Sequence, residues 1–320
     1  MTMDSPGDRH QRVCVFAPAP LLTVTIEQTT NERRSDEVHL HAGGQGFWIA
    51  RLVAELGVDV VLCGSFGGET GRVARNLIRE EGVDIRGIES SGSNGAYVHD
   101  RRSGERVEAA SMPPDALTRH ELDELYGIVL VEAFDSAVTV LGGPHGPAVV
   151  PATTYRRLAR DVRENGGAVV ADLSGDPLRY ALEGGLDVLK VSDDELCREN
   201  RATGNDAQSL IAGMHELVKS GADQVIVTRA AEPALALIDG SVVVIEPPRL
   251  EAADHRGAGD SLTAGVAATL ASGGSLLEGL RLGAAAGALN VTRHGLATGK
   301  RPEIERLAPH VGVSSLEAHQ

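Results

Sequence analysis

The sequence feature that most limits the fold is a repeated alternation between strand-forming and helix-forming stretches. Val58–Cys63 is a β-branched, apolar run typical of a buried strand, and a glycine-rich turn separates it from a helical pattern at Val73–Glu81. The alternation continues where a predicted helix at Thr153–Asn165 precedes a predicted strand at Ala168–Asp172. Strands that are joined by helices pair in parallel, because the helix returns the chain to the starting edge of the sheet. The sequence therefore predicts an α/β fold with a doubly wound, mostly parallel central sheet.

Four shorter stretches predict a second, smaller sheet. Leu21–Glu27 and Val38–Leu40 are predicted strands, and Tyr97–Val98 and Arg106–Glu108 form a predicted hairpin with polar flanks. We interpret these strands as a lid, drawn from about 20–42 and 85–110 of the chain.

Three further stretches carry predictions for the main fold. Ile128–Glu132 and Val138–Leu141 are predicted strands, and Leu277–Thr292 is predicted to be an alanine-rich helix. Glycine recurs at every fourth position of this helix, at Gly279, Gly283 and Gly287. That spacing allows close packing against the sheet, and an ordinary buried helix is the alternative.

Composition limits the core and the partners. Apolar residues make up 42% of the 320 residues but aromatic residues only 3%, so the core must be built from Ala, Val, Leu and Ile. The formal net charge of −15 disfavours nucleic acid and anionic membranes as partners, because both would be repelled. Three separated cysteines without a CxxC pair disfavour a disulfide framework and a zinc site. No run resembles a signal peptide or a membrane span, so we expect a cytoplasmic location.

The stretch with the clearest chemical meaning is Arg256-Gly257-Ala258-Gly259-Asp260, which precedes an apolar run at helical spacing. The N–H groups and the dipole of a helix start can hold an anion, and glycine lets that anion approach closely. A fixed carboxylate would repel a resting phosphate, but it is suited to take a proton from an attacking hydroxyl. The combination predicts phosphoryl transfer, with the amides of Gly257, Ala258 and Gly259 as an anion hole and Asp260 as the base.

Two alternatives remain open for the same stretch. Asp is a common N-cap residue, so Asp260 could simply cap a helix. A dinucleotide-binding turn is disfavoured, because such a turn belongs to an early strand-turn-helix unit, whereas this one lies near the C-terminus.

The order of several motifs resembles that of the ribokinase-like, PfkB-type carbohydrate kinases over nearly the whole chain. These motifs are Gly43–Gly46, Gly64–Gly71, Asp172–Gly175, Lys190–Glu195 and Gly257–Asp260. The detail is most similar to the 1-phosphofructokinase and tagatose-6-phosphate kinase branch, notably at Asp172–Gly175 and in the ending Val291–Gly295.

The resemblance implies one three-layer α/β/α domain over residues 1–320, with a β-lid above the sugar site. It also implies ATP and Mg²⁺ as cofactors, a sugar or sugar phosphate as the small-molecule acceptor, and a homodimer formed through the lid. An exposed small sheet has edges to protect, which agrees with pairing of the lids.

The resemblance assigns roles to individual residues on the nucleotide side. Asp260 is the implied base, and Lys190 and Ser192 fall on the motif near the phosphates. Glu195 falls on the glutamate that organises the metal through water. Thr228 is implied to contact the phosphates, and Asn290 the adenine. As alternatives, Lys190 and Glu195 could be a surface ion pair, and Asn290 could cap a turn.

Departures from the family pattern lie mainly on the substrate side. The aspartate that binds sugar hydroxyls in the family is replaced by Thr23. In the motif that begins with Gly43 and Gly44, the family lysine is replaced by Gln45 and the family asparagine by Trp48. Asn94 lies where phosphosugar kinases carry a lid arginine. Three lid arginines are candidates to replace the missing cations: Arg101, Arg102 and Arg106.

The nucleotide side also departs from the pattern. A glycine-containing turn of the family reads Thr228-Arg229-Ala230-Ala231-Glu232-Pro233, which predicts weaker or altered ATP binding. We expect an active carbohydrate kinase, in which Asp260 at a helix start is ionised at neutral pH. The alternatives are an impaired kinase homologue that binds a sugar or nucleotide as a regulatory module, and a nucleoside kinase in which Trp48 stacks on a base.

Overall fold

Strands and helices alternate along most of the chain. The structure, a computed structural model, describes residues 10–28, 35–143, 149–230, 232–248, 250, 257–291 and 299–316. The strands are β1 His10–Phe16, β2 Leu21–Gln28, β3 Asp36–Gly43, β4 Asp59–Gly67, β5 Asp84–Ser90, β6 Ala96–Asp100, β7 Val107–Met112, β8 Ser136–Gly142, β9 Ala168–Asp172, β10 Leu186–Ser192, β11 Ala222–Arg229, β12 Glu232–Ile238, β13 Ser241–Glu246 and β14 Gly312–Ser315. The helices are α1 Gln45–Glu55, α2 Gly68–Glu80, α3 Arg119–Phe134, α4 Thr153–Glu164, α5 Gly175–Gly184, α6 Asp193–Arg198, α7 Ala207–Lys219, α8 Ala258–Ala271, α9 Leu276–Val291 and α10 Arg301–Leu307, with a 3₁₀ turn at Ala308–His310. Three sequence features singled out above lie outside the described residues, namely Arg256, Ala231 and the motif residues 292–295.

The larger sheet joins ten of these strands in the spatial order β14-β13-β12-β11-β10-β9-β8-β1-β4-β5. The strands from β5 to β11 in this order run parallel, and β12, β13 and β14 extend the sheet with antiparallel pairs. The prediction of a mostly parallel α/β sheet is confirmed. Ligand sites in such sheets lie at the carboxyl ends of the strands, and that edge carries the site described below.

Side chains of the central strands alternate between two hydrophobic cores. On β1, Val13 and Val15 point into one core, whereas Cys14 and Phe16 point into the other. Helices α1, α2, α8 and α9 cover the first core, and α3, α4, α5 and α7 cover the second. The three-layer arrangement of the predicted fold class is therefore confirmed.

The smaller sheet has the strand order β3-β2-β6-β7, with β2 and β6 parallel and the outer pairs antiparallel. The four predicted lid strands fall in this sheet. The predicted lid boundary at residue 85 is wrong, because β5 pairs in parallel with β4 at the edge of the larger sheet. The lid segment on that side begins at Ala96 instead.

One predicted strand is a helix. The β-branched run at Ile128–Glu132 lies within α3. Thr118 and Glu121 form a reciprocal capping box that starts this helix, and Leu125, Val129 and Ala133 recur at helical spacing on its buried face. Packing of that face against the second core overrides the local strand preference of the β-branched residues.

The glycine stripe of α9 packs against α8 rather than against the sheet. A β-carbon at Gly265 would lie 2.4 Å from the Cα of Gly283, and one at Gly283 would lie 2.5 Å from the carbonyl oxygen of Leu262. The two helices therefore touch backbone to backbone. This contact fixes the position of α8, whose first turn carries the site.

Among the described residues, none of the helices is long and apolar enough to cross a membrane.

Candidate active site

Helix α8 begins with a left-handed residue and a turn of small side chains. Gly257 is the N-cap with φ of 75°, a conformation that favours glycine. Ala258, Gly259 and Asp260 form the first turn, where N–H groups have no acceptor within the helix. Gly257 is the N-cap and Asp260 is the third helical residue, so the alternative that Asp260 is an ordinary N-cap is wrong. The turn has the amide arrangement expected for an anion hole.

The buried Lys190 lies against this turn. A β-carbon at Gly259 would lie only 2.8 Å from Lys190 Nζ, so the lysine occupies the space that a larger residue would need. Lys190 Nζ donates to Asp172 Oδ1 over 3.1 Å at the ends of neighbouring strands β10 and β9. The alternative that Lys190 and Glu195 form a surface ion pair is therefore wrong. Its partner is Asp172, which is itself buried.

Asp172 is held from a second side by α8. Thr263 Oγ1 donates to Asp172 Oδ2 over 2.9 Å and lies 3.2 Å from the carbonyl oxygen of Gly259. Asp172 thereby connects the lysine on β10 with the first turns of α8. The position of Lys190 relative to the helix start is fixed by these two bonds.

Charges around Lys190 keep it protonated. Burial alone would lower the pKa of its ammonium group, but the carboxylates of Asp172, Asp260 and Glu195 together raise that pKa above its ordinary value. A permanent positive charge therefore lies next to the amides of the α8 start.

The carboxyl group of Asp260 is a much weaker acid than an exposed aspartate. Burial, followed by the nearby charge of Asp172, raises the pKa of Asp260 to about 7, although Lys190 and a hydrogen bond from Gln45 act in the opposite direction. The expectation that Asp260 is ionised at neutral pH because it lies at a helix start is therefore corrected. Desolvation outweighs the helix dipole at this position, and the result is a carboxyl group whose pKa is close to neutral pH.

Gln45 lies at the start of α1, next to the loop that follows β8. It is the first residue of α1, and its side chain lowers the pKa of Asp260. Its Oε1 accepts from the backbone N–H of Gly143 over 2.9 Å, just after β8.

Glu195 and Ser192 form the start of α6. The Ser192 N–H donates to Glu195 Oε2 over 2.8 Å, and the Glu195 N–H donates to Ser192 Oγ over 3.2 Å. Glu195 still acts electrostatically on Lys190 and Asp260. In the described part of the chain, no group of three His, Cys, Asp or Glu residues could hold a metal ion alone.

A cavity of about 370 Å³ adjoins the start of α8. Thr228 at the end of β11, Ala258 and Leu262 of α8, and Gly287 of α9 line it. This volume lies within the range of about 300–1,000 Å³ for small-molecule sites. Thr228 is placed as expected, whereas Asn290 is buried and is not among the lining residues, so the structure does not bring it to this cavity.

In the turn beside this cavity, Ala230 adopts a left-handed backbone conformation that glycine usually adopts. Ala230 has φ of 40°, in the left-handed region that a β-carbon disfavours. Pro233 also lines the cavity and offers no N–H to a ligand. At this edge of the cavity, the two departures from the family pattern therefore add a side chain at Ala230 and remove a backbone N–H donor at Pro233.

A second cavity, of about 330 Å³, lies between the lid and helices α1 and α2. Thr23 faces it from β2, and Trp48 from α1. Trp48 also packs against the first hydrophobic core, so it is both a packing residue and a cavity wall. Two of the residues expected to contact the acceptor are thus brought together.

Three arginines line the same lid cavity. Arg51 of α1 pairs with Glu81 over 3.2 Å, and Arg101 pairs with Glu27 over 3.6 Å. Arg106 is the third lining arginine. In contrast, Arg102 pairs with Asp100 over 2.6 Å and with Asp36 over 2.9 Å on the exposed outside of the lid.

Gly43 and Gly44 let the chain pass closely from the lid into α1. A β-carbon at Gly43 would lie 2.6 Å from Thr23 Oγ1, and Gly44 has φ of 96°. These residues hold the lid strand β2 near the start of α1.

Asn94 has a structural role in place of the expected acceptor contact. Its Nδ2 donates to the carbonyl oxygens of Pro20 and Ser65 over 2.8 and 2.9 Å, and its Oδ1 accepts from the Gly67 N–H over 2.7 Å. The buried amide therefore joins the lid to the larger sheet.

Sequence reasoning quoted Asp172 within a motif but gave it no role, and it missed Thr263 and Arg51. Asp172 and Thr263 are 91 residues apart in the chain, so no local pattern links them. An acidic residue at the end of an apolar strand was the available signal for Asp172.

Comparison with known proteins identifies the family of the chain. The family model described as pfkB family carbohydrate kinase matches residues 19–303. The ATP-dependent 6-phosphofructokinase isozyme 2 of Mycobacterium tuberculosis is 29% identical over 308 residues, which cover 92% of this chain and 88% of the relative. The 1-phosphofructokinase of Bacillus subtilis is 28% identical over 280 residues, covering 86% of this chain and 89% of the relative.

A solved structure shows the same fold. The crystal structure of phosphofructokinase-2 from Escherichia coli in complex with fructose-6-phosphate superposes with a TM-score of 0.81 at 25% sequence identity. The superposition covers 93% of this chain and 98% of that one. The resemblance inferred from the motifs is therefore confirmed.

Proposed function

Because the chain belongs to the pfkB family of carbohydrate kinases, we propose that it transfers the terminal phosphoryl group of ATP to a hydroxyl group of a sugar phosphate. One observation carries the proposal: Asp260 lies in the first turn of α8 while the buried Lys190 packs against Gly259 in the same turn. A proton acceptor and helix amides are thus combined in one helical turn, against which a fixed cation packs.

Asp260 is the proposed base. Its pKa of about 7 lets it exist in both protonation states near neutral pH. As the acceptor oxygen bonds to phosphorus and ADP departs, Asp260 takes the hydroxyl proton. Proton transfer is late in a loose phosphoryl-transfer transition state, so a strong base is not required.

The α8 start and Lys190 are proposed to stabilise the charge on the transferred group. The amides of Gly257, Ala258 and Gly259 offer hydrogen-bond donors, and Lys190 adds a full positive charge that Asp172 and Thr263 hold in place. Donors that are already oriented stabilise the transition state without further reorganisation.

The cavity beside Thr228 is proposed to hold the nucleotide, because Ala258 belongs both to its wall and to the anion-binding turn. Mg²⁺ usually keeps several waters and binds through one or two carboxylates together with substrate phosphates. Glu195 fits such an indirect role, since it is partly exposed and acts on the charges of both Lys190 and Asp260. When bound, the ion supplies charge neutralisation for the phosphates.

The lid cavity is proposed to hold the far end of the acceptor. Arg51 follows Gln45 by six residues, which corresponds to about 9 Å along α1. This span suits a hexose monophosphate with its reacting hydroxyl at Asp260 and its existing phosphate near Arg51, Arg101 and Arg106. The names of the two phosphofructokinase relatives agree with a phosphorylated acceptor.

The proposed function is tested by ADP release with ATP and Mg²⁺ against fructose 6-phosphate, fructose 1-phosphate, tagatose 6-phosphate, fructose and adenosine. We expect turnover with at least one phosphorylated sugar and a loss of at least about 1,000-fold in D260N. Asp194 is exposed on α6, so D194N is the matched control and should retain activity.

Other outcomes of the same panel would replace the proposal. Sugar binding in a thermal-shift assay without ADP release from any acceptor would indicate a binding module. Turnover restricted to adenosine would indicate a nucleoside kinase. Undiminished activity in D260N would remove Asp260 from the chemistry.

The lid is further proposed to form a homodimer. Val38 and Leu40 are 58% and 46% exposed, and the strand register places them on one face with Val24 and Ile26. Val107 and Met112 continue that face on β7 and are also exposed. An apolar sheet face of this kind is suited to burial against a second copy.

A further inference from the structure

Two arginines of the lid cavity have carboxylate partners within the cavity. Arg51 Nε lies 3.2 Å from Glu81 Oε2, and Arg101 Nη1 lies 3.6 Å from Glu27 Oε1. All four residues line the cavity. The first pair lies on the helices, where Glu81 follows α2, and the second lies on the lid, where Arg101 follows β6. Each of the two walls of the cavity therefore carries an ion pair.

The two members of each pair differ in their exposure to water. The side chains of Arg51 and Arg101 are 27% and 20% exposed, whereas those of Glu81 and Glu27 are both 42% exposed. The 3.6 Å between Arg101 and Glu27 is also longer than a hydrogen bond. Partly exposed ion pairs of this kind contribute little to stability. The carboxylates can therefore turn towards water while the arginines stay at the cavity wall.

The charges that line the cavity balance each other. The charged side chains among its lining residues are those of Glu27, Arg51, Glu80, Glu81, Arg101 and Arg106. Burial, followed by the charges of His39 and Arg51, lowers the pKa of His41, so this lining histidine is neutral at neutral pH. The cavity therefore offers a phosphate no net positive charge unless a carboxylate moves away.

A phosphate group can take the place of these carboxylates. A phosphate monoester carries almost two negative charges near neutral pH and has three acceptor oxygens, and arginine binds such a group through paired hydrogen bonds. A sugar hydroxyl carries no charge, so an unphosphorylated sugar leaves the two ion pairs as they are. A phosphorylated sugar therefore has to compete with Glu27 and Glu81 for the arginines, and an unphosphorylated one does not.

From these contacts we propose that Glu27 and Glu81 are specificity-determining residues, which compete with the phosphate of the acceptor for Arg51 and Arg101. By this competition they reduce the preference of the lid cavity for phosphorylated over unphosphorylated sugars. The same carboxylates compensate the charges of the arginines while an unphosphorylated sugar is bound. The inference rests on the proposed function, in which these arginines bind the phosphate of the acceptor.

The test measures the Kd of fructose 6-phosphate and of fructose by isothermal titration calorimetry on the full chain. Glutamine keeps the size of glutamate but removes its charge. E81Q should therefore bind fructose 6-phosphate about 3- to 5-fold more tightly than the wild type, and E27Q/E81Q about 10-fold more tightly. The Kd of fructose should change by less than about 2-fold, because its binding breaks neither pair.

Two comparisons separate ion pairing from a general effect of charge. Glu80 lines the same cavity but forms no ion pair with the residues that the structure describes. E80Q should therefore change the Kd of fructose 6-phosphate by no more than about 2-fold. In the R51M background, E81Q should no longer tighten binding, since the arginine that it would release is absent.

Three results would overturn the inference. The first is equal tightening by E80Q and E81Q, because charge alone would then explain it. The second is tightening by E81Q that persists without Arg51. The third is a wild type and an E27Q/E81Q variant that both fail to bind fructose 6-phosphate.

These binding measurements do not depend on phosphoryl transfer, so they separate the inference from the proposed function. Tighter binding in E81Q without turnover of any acceptor supports the inference and contradicts the proposed function. Turnover of fructose 6-phosphate with the same Kd in the wild type, E81Q and E27Q/E81Q contradicts the inference alone.

Discussion

Gly259 and Lys190 are in such close contact that a single methyl group on the glycine would reach the lysine. A β-carbon at Gly259 would lie 2.8 Å from Lys190 Nζ and 3.2 Å from its Cε. The lysine is buried and paired with Asp172, so it cannot move aside without weakening the 3.1 Å bond between them. The ammonium group of Lys190 therefore fills the space next to Gly259 and faces the first turn of α8.

The first prediction follows from this contact. In G259A, the flexible end of Lys190 should move away from the α8 start, and kcat/KM for ATP should fall about 10- to 100-fold as a charge-assisted contact is lost. The free energy of unfolding should fall by about 1 kcal/mol, less than when two backbones must separate, because a flexible side-chain end moves and its bond to Asp172 weakens. Steady-state kinetics and urea unfolding measure the two effects.

Gly265 provides the control for G259A on the same helix. A β-carbon there would meet the Cα of Gly283 at 2.4 Å, so G265A must push two backbones apart. We expect G265A to lose about 1–3 kcal/mol of stability or more. If G259A loses as much stability as G265A and no more activity, the contact with Lys190 has no specific role.

The second prediction concerns the stability of the folded protein as a function of pH. The pKa of Asp260 is about 7 in the folded protein, against an ordinary value of 3.8. Between these values the unfolded chain has released this proton and the folded one still holds it, so the contribution of Asp260 to stability falls as the pH rises. Asparagine cannot ionise, and D260N should therefore gain about 2–3 kcal/mol relative to the wild type between pH 5 and pH 8.

Urea unfolding at pH 5 and pH 8 measures this difference. D194N, which removes an exposed carboxylate of the same type, should show the same difference from the wild type at both pH values. A constant gap between D260N and the wild type would mean that Asp260 is solvated like an ordinary surface aspartate.

The alternating α/β architecture could be predicted because its signals are local. The predicted strand at Val58–Cys63 and the predicted helix at Val73–Glu81 overlap with β4 and α2, whose ends lie a few residues away. The strand prediction at Ile128–Glu132 was wrong. Its β-branched residues favour a strand, but the capping box at Thr118 and the packing of Leu125 stabilise a helix. Local preference is overridden by tertiary contacts in such cases.

The site could be predicted only in part for a related reason. Its motif residues near α8 form one continuous stretch, and the order of motifs located Lys190 and Glu195 correctly at one strand end. The bond from Thr263 to Asp172 joins residues that are far apart in the chain, and so does the effect of Gln45 on the pKa of Asp260. No spacing rule connects such pairs, and burial, which sets the pKa of Asp260, is not visible in the sequence.

The third prediction separates the arginines of the lid. Arg101 lines the lid cavity, whereas Arg102 forms ion pairs with Asp100 and Asp36 on the outside. R101M should raise the KM for a phosphorylated acceptor by about 10- to 100-fold, because a charge-assisted hydrogen bond to phosphate is lost. The KM for ATP should not change.

R102M is the matched control for this measurement and should leave the KM of the acceptor unaltered. An increase in KM of the same size for an unphosphorylated sugar would show that Arg101 does not act on a phosphate. Equal effects of R101M and R102M would indicate a general change in the lid.

The fourth prediction concerns the apolar lid face. Val38 pairs with Ile26 and Leu40 with Val24 across β3 and β2, so their side chains lie on the same face. Burying this face against a second copy would remove it from water, and two aspartates there would leave charges without partners in the interface. We therefore expect V38D/L40D to sediment as a monomer under conditions in which the wild type is a dimer.

Val131 on α3 is 63% exposed and far from the lid in the chain, so V131D is the control and should remain dimeric. A wild type that is monomeric at micromolar concentration, or a V38D/L40D variant that is still dimeric, would contradict pairing through this face.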